Sequence, residues 1–172
     1  MKLLFTTIHP PGKTRIKKCY PYSLYKLNDS LSVTCYTIHD LSPLRNFTHL
    51  RSLKLYMNFI SDISPLVNLI HLETLMLFDN NITDISPLRN LVNLKELDLS
   101  ENEISNLAPL ENLVNLEKLN LCYNNIIDIS PLENLINLKE LDLVMNPVSV
   151  SHQIDKLRRR LPDCIITEYK EH

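Results

Sequence analysis

The sequence predicts an α/β solenoid: a superhelix of repeated units with a concave parallel β-sheet and short 3-10 or α turns on its convex side. Three observations carry this. Leu50, Leu72, Leu94, Leu116 and Leu138 stand 22 residues apart. Each opens the pattern L-x-x-L-x-L-x-x-N, whose last two leucines alternate as in a strand with one face inward. After the step Ser86-Pro87-Leu88 only about six residues remain before the next leucine, which is room for one short helical turn.

The chain has 172 residues, 44% hydrophobic and 22% charged, as one domain of ordinary core content would. A single glycine, Gly12, stands against 10 prolines, so a phosphate-cradling loop that needs several glycines is excluded. The 18 basic and 20 acidic side chains nearly cancel, but unevenly. Residues 1–27 carry six bases (Lys2, Lys13, Arg15, Lys17, Lys18, Lys26) and no acid, a balance of +6. Residues 28–145 carry 16 acids and 7 bases, a balance of −9, and residues 146–172 come to +1. A basic arm, an acidic body and a mixed tail follow one another.

The first segment, 1–27, is expected to be a basic N-terminal cap or arm. Its apolar run stops at Ile8 and meets His9-Pro10-Pro11, shorter than a secretory core of about 7–15 residues. No stretch approaches the roughly 20 apolar residues of a membrane helix. The expected location is therefore cytoplasmic, with the nucleus as the alternative. Tyr20, Tyr22, Leu24, Tyr25 and Leu27 offer apolar area to cover the first unit.

The second segment, 28–148, is the solenoid, with units starting at 28, 50, 72, 94, 116 and 138. The unit at 28 is degenerate, and the one at 138 loses the pattern after Val148. The Asn at the ninth position (Asn58, Asn80, Asn102, Asn124, Asn146) is expected to end the strand and bond the backbone of the bend. Ser86 before Pro87 is expected to cap the return turn. The seven or so apolar side chains of one unit cannot offset the ordering of its whole backbone, so units must stack and share a core.

These residues resemble leucine-rich repeat proteins of the 22-residue class with D-I-S-P-L on the return side. That class includes bacterial internalins and the leucine-rich regulatory subunit of protein phosphatase 1. The resemblance covers about 28–148 and implies a right-handed leucine-rich repeat superhelix with a scaffold function. An internalin is expected to bring a signal peptide, a helical N-terminal cap and a following immunoglobulin-like domain, and none is seen here.

The third segment, 149–172, reads as a capping helix and a final strand. Ile154, Leu157 and Leu161 recur at helical spacing with Arg158, Arg159 and Arg160 between them, and Pro162 stops the helix. Cys164 and Ile166 are expected in the two leucine positions of a closing strand. The arginines read as a solvated helix face.

On the concave face the third, fifth, seventh and eighth residues of each unit are expected to point outward. The seventh column reads Thr34, Tyr56, Phe78, Ser100, Cys122, Val144; the eighth reads Cys35, Met57, Asp79, Glu101, Tyr123, Met145. Tyr56, Met57, Met76 and Phe78 gather apolar groups beside Asp79, Glu96, Asp98 and Glu101, with Glu140 and Asp142 further along and Tyr123 on the same face. Such a cluster marks a protein contact, and its charge asks for a basic partner with an apolar anchor.

Chemistry is expected to be absent. His49 and His71 share a column but lack a third ligand, so no metal or cofactor is expected. The carboxylates lie on an open sheet without a cleft, so no catalytic residue and no small-molecule substrate is expected. The four cysteines are expected to be free thiols in a reducing compartment, because Cys35 and Cys122 lie too far apart to pair. The sequence thus points to a non-catalytic, monomeric interaction module, as a regulatory subunit or host-directed effector. The alternative is an RNA-associated adaptor that uses the basic arm.

Overall fold

The computed structural model describes residues 29–33, 38–147 and 151–168. The N-terminal arm expected over 1–27, and the column members Thr34 and Cys35, lie outside the described residues. Among the described residues, seven three-residue strands form one parallel sheet in chain order: β1 (Ser30–Ser32), β2 (Ser52–Lys54), β3 (Thr74–Met76), β4 (Glu96–Asp98), β5 (Lys118–Asn120), β6 (Glu140–Asp142) and β7 (Ile165–Thr167). One α-helix, α1 (Ser151–Arg160), precedes β7.

The repeat sets the register. Leu31, Leu53, Leu75, Leu97, Leu119 and Leu141 lie side by side across β1 to β6, so every strand is displaced from the last by one 22-residue unit. In β2, β3 and β4 the central leucine is buried and its neighbours are half-buried, as strand alternation requires. The unit at 72 contributes Leu72, Leu75, Leu77, Ile82, Ile85, Leu88 and Leu91 to the core, all essentially without solvent contact. The leucines close the sheet side, and the isoleucines and later leucines close the return side.

The asparagines join one unit to the next. Asn102 Oδ1 accepts the Ile82 N–H (2.9 Å), while its Nδ2 donates to the carbonyls of Leu77 and Leu99 (both 3.1 Å) and Ser100 (3.0 Å). Asn58, Asn80 and Asn124 repeat the arrangement and, like Asn102, are buried. A bend that would otherwise bury unpaired backbone groups is satisfied by one side chain per unit.

The return sides carry 3-10 turns at Ser42–Leu44, Ser64–Leu66, Ser86–Leu88, Ala108–Leu110 and Ser130–Asn134. The serine is not their cap. Ile85 occupies the position before the third turn and makes no side-chain cap bond. The polar contact comes from the residue before it: Asp84 Oδ1 accepts the Ser86 N–H (2.8 Å), and Ser86 Oγ donates to Asp84 Oδ2 (2.9 Å). Asp128 treats Ser130 in the same way. The aspartate wins because it sits two residues ahead, the reach of an Asx turn, and carries a charge.

At the C-terminal end, α1 packs Ile154 and Leu157 onto the core, with Leu161 buried just beyond it. Gln153 Oε1 accepts the Ile129 N–H (3.1 Å), and Lys156 pairs with Glu133 across the last turn (2.8 Å). Arg158 pairs with Glu168 (2.7 Å), while Arg159 and Arg160 are exposed. The closing strand differs in register from expectation. Ile166, not Cys164, lies beside Leu141, so β7 is slipped by two residues. A slip of two keeps the same side chains on the core face, and α1 supplies extra chain between β6 and β7 that permits it. Cys164 and Ile166 are half-buried against the core.

Candidate functional site

The expected concave residues come from β2 to β6 and the bends that follow them. Tyr56 and Phe78 stand abreast, joined through the Met57 N–H to Phe78 carbonyl bond (2.9 Å), and their rings stack with centroids 4.6 Å apart and planes at 7°. Both are half-buried, as are Met57 and Met76. Met76, at the end of β3, lies between Lys54 and Asp98 on the neighbouring strands.

Ser100 departs from expectation. It follows Phe78 in the column, through the Asp79 N–H to Ser100 carbonyl bond (3.0 Å), but it is only 4% exposed. Its Oγ donates to Asp98 Oδ1 (2.6 Å), and its N–H donates to the same oxygen (3.0 Å). The short side chain folds back on the fifth-column aspartate, so it does not extend the aromatic shelf. Asn120 and Asp142 likewise accept the N–H of the residue two on, Cys122 (3.1 Å) and Val144 (2.9 Å). Asp98 and Asp142 therefore hold the bend as well as facing the groove.

The acidic strip is less continuous than the columns imply. Lys118 sits on β5 between Glu96 of β4 and Glu140 of β6, and it pairs with Glu140 (2.8 Å). That bond, with the charge of Glu140, holds the Lys118 ammonium above its usual range. The carboxylates around the aromatic pair are Asp79, in the bend after Phe78, and Glu96, Asp98 and Glu101 of the next unit, with Glu101 exposed. Tyr123 is 53% exposed and lies two units beyond Phe78's bend, and Asp142 lies two strands beyond Asp98. These two residues extend the face; they do not join the Tyr56–Phe78 cluster.

Sequence reasoning did not foresee the backbone of the eighth column. Met57, Asp79, Glu101, Tyr123 and Met145 all have φ between 53° and 59°, the left-handed region. In a chain with one glycine, ordinary residues take these bends, each at a cost of about 1 kcal/mol or more. The bend recurs in five successive units, so it belongs to the repeat and not to one special position.

The sheet face also encloses a groove of about 460 Å³, lined by Met76, Asp98, Lys118, Asn120, Asp142 and Thr167 among others. The sequence leads one to expect an open sheet without a cleft, and the groove departs from that. His49 lies with its ring 6.0 Å from that of Phe47, and His71 is exposed. Cys122 and Cys164 are free thiols. Burial pushes the Cys164 thiol up to about 11, and burial together with Asp142 raises that of Cys122.

Comparison with known proteins follows the same geometry. A family model described as leucine-rich repeats (two copies) matches residues 70–112 and 114–158, about half of the chain. The chain belongs to the leucine-rich repeat family. Among solved structures, internalin C2 of Listeria monocytogenes is 33% identical with a TM-score of 0.74, over 82% of this chain and 63% of that one. An internalin (inlF) of the same organism is 36% identical with a TM-score of 0.72, over 82% of this chain and 43% of that one. A leucine-rich repeat protein of Leptospira interrogans, at 22% identity and a TM-score of 0.52 over 79% of this chain and 48% of that one, shares the fold. The chain thus spans less than two thirds of the length of the internalins it matches. No curated protein matches it in sequence. Leucine-rich repeat chains are in general protein-interaction modules and typically non-enzymatic scaffolds. No helix among the described residues is long and apolar enough to cross a membrane.

Proposed function

We propose that this leucine-rich repeat chain is a non-catalytic binding module whose concave sheet face captures a partner protein. The observation that carries the reading is the stacked Tyr56–Phe78 pair, held half-exposed on a sheet face that also carries Asp79, Glu96, Asp98 and Glu101. An aromatic shelf of this kind is the usual anchor of an interface, and the carboxylates beside it select for basic neighbours. The partner is then a protein that presents an apolar or aromatic residue flanked by Lys or Arg. Met57 and Met76 add an adaptable apolar border. Such a binder acts through what it captures, as a regulatory subunit or a host-directed effector does. The free thiols of Cys122 and Cys164 fit a reducing compartment.

Affinity capture with the wild-type chain beside Tyr56→Ala/Phe78→Ala and Glu96→Gln/Glu101→Gln variants tests this, with melting curves to show that each variant is folded. The partner retained by wild type is expected to be lost from the first variant and weakened in the second. Capture unchanged in both contradicts the reading. Binding that survives both variants and falls steeply with salt points instead to nucleic acid held by the six bases of residues 1–27.

A further inference from the structure

The flank between the return turns and the strand starts carries two columns that the concave site does not use. The twenty-first residue of four successive units is Ile70, Val92, Val114 and Ile136, exposed at 46%, 44%, 42% and 71%. The second residue of six successive units is Asp29, Arg51, Glu73, Lys95, Glu117 and Lys139, and its charge alternates without a break. Neighbours along this ladder pair: Arg51 with Glu73, Lys95 with Glu73 (2.8 Å), and Lys139 with Glu117 (2.5 Å). The columns are contiguous. Asn93, Asn115 and Asn137 stand between them and donate to the carbonyls of Ile70, Val92 and Val114, each at 2.8 Å. Asn115 and Asn137 also share a shallow cleft with Lys95, Glu117 and Lys139.

Four aliphatic side chains aligned in water are unfavourable, and the charges beside them say what would cover them. Six alternating charges read backwards give the same series with every sign reversed. Each aliphatic stands three residues before a ladder charge and is level with it: Ile70 with Glu73, Val92 with Lys95, Val114 with Glu117 and Ile136 with Lys139. A two-fold axis through the flank, between the Lys95 and Glu117 levels, sets Lys95 against Glu117 of a second copy and Glu73 against Lys139. The same axis sets Ile70 against Ile136 and Val92 against Val114, so the four aliphatics and the four charges level with them share one centre of symmetry. A side-by-side parallel pairing would instead set like charge on like charge. We propose that this flank binds a second copy of the chain, antiparallel, in a two-fold symmetric dimer. This replaces the monomer expected from the sequence, where the ladder has no meaning until the units are stacked.

The size of the face sets the strength. Four paired levels at about 4.8 Å and a width of about four residues give roughly 250–300 Å² per copy, about a third of a standard interface. The dimer is therefore weak, in the range of tens of micromolar to about a millimolar.

Sedimentation equilibrium on the full chain, from about 5 μM to about 1 mM, is the test. A reversible monomer–dimer equilibrium is expected. The surface variant Val92→Ser/Val114→Ser should weaken it at least about tenfold with an unchanged melting temperature. Glu73→Lys/Glu117→Lys and Arg51→Glu/Lys95→Glu/Lys139→Glu should each be monomeric alone and form a one-to-one heterodimer when mixed. A chain that stays monomeric to about 1 mM overturns the proposal. So does a dimer untouched by Val92→Ser/Val114→Ser, or one abolished by Tyr56→Ala/Phe78→Ala, which would put the contact on the concave face. Because the concave variant is outside the flank, failure here leaves the binding-module reading standing, and the reverse also holds.

Discussion

At the scale of single residues, the ninth-position asparagine does the most for each unit. Asn102 satisfies one buried N–H and three carbonyls from two different units, and its isosteres cannot: an ionised Asp accepts but does not donate, and Leu does neither. Asn102→Ala should lower stability by about 3 kcal/mol, because buried backbone groups lose their partners. For a chain of this size that is a fall of roughly 6–12 °C in melting temperature, measurable by circular dichroism. Its ordered bend also explains why the sequence was readable here: an Asn at fixed spacing has one physical use at a strand end. The return turn was read less well. Ser86 looks like a cap in the sequence, yet Asp84 provides the contact, so Asp84→Ala should cost about 1 kcal/mol and Ser86→Ala clearly less. Equal losses in urea denaturation would return the cap to the serine. Ser100 was placed correctly in its column but not in its burial, which depends on the Asp98 carboxylate behind it.

At the scale of elements, the strands β1 to β6 were legible because a 22-residue leucine period leaves one register open. β7 was not. Alternation alone cannot distinguish registers that differ by two residues, and only the length of α1 and its loop fixes the choice. The turns and the charge ladder together make a pH prediction. The backbone N–H and the hydroxyl of Ser130 hold the Asp128 carboxyl below its usual range, and Ser42 does the same for Asp40. Bonds from Lys95 and then Arg51 lower Glu73, and a bond from Lys139 lowers Glu117. Each of these groups binds its proton more weakly folded than unfolded, so acid favours the unfolded chain. Their contribution is complete above the ordinary carboxylate range of about 4 to 4.5 and is lost as pH falls through the lower folded values. Thermal melts should be level from about pH 7 to 5 and drop steadily below about 4. Added salt should reduce the glutamate part and spare the aspartates that hold backbone N–H groups. A melting temperature that stays level to about pH 3 contradicts this assignment.

At the scale of the whole molecule, one core runs the length of the stack from Leu31 to Leu161, and each unit is stabilised by the one before and after it. α1 covers the last turn through Gln153 and Lys156, so the return side ends on a helix while β7 closes the sheet. What the fold leaves variable are the faces. The concave columns were visible in the sequence because strand periodicity assigns them, and the aromatic pair in them is stacked as neighbours on adjacent strands should be. Lys118 interrupts the acidic strip already in the third column of the sequence, between Glu96 and Glu140, and the stack adds its pairing with Glu140, 22 positions away. The flank pattern of alternating charge beside exposed valine and isoleucine also exists only between units, which is why a unit-by-unit reading passes over it. One molecule then offers two independent surfaces: an aromatic and acidic inner face, and a self-complementary edge.

The measurement closest to the central claim is the affinity of a basic, aromatic-anchored peptide, selected from a random library on the wild-type chain, titrated by calorimetry into the wild-type, Tyr56→Ala/Phe78→Ala and Val92→Ser/Val114→Ser proteins. The inner-face variant should bind at least about 30-fold more weakly, and the flank variant should bind as wild type does. Equal affinity for the wild-type and inner-face proteins, with both folded, would contradict the account.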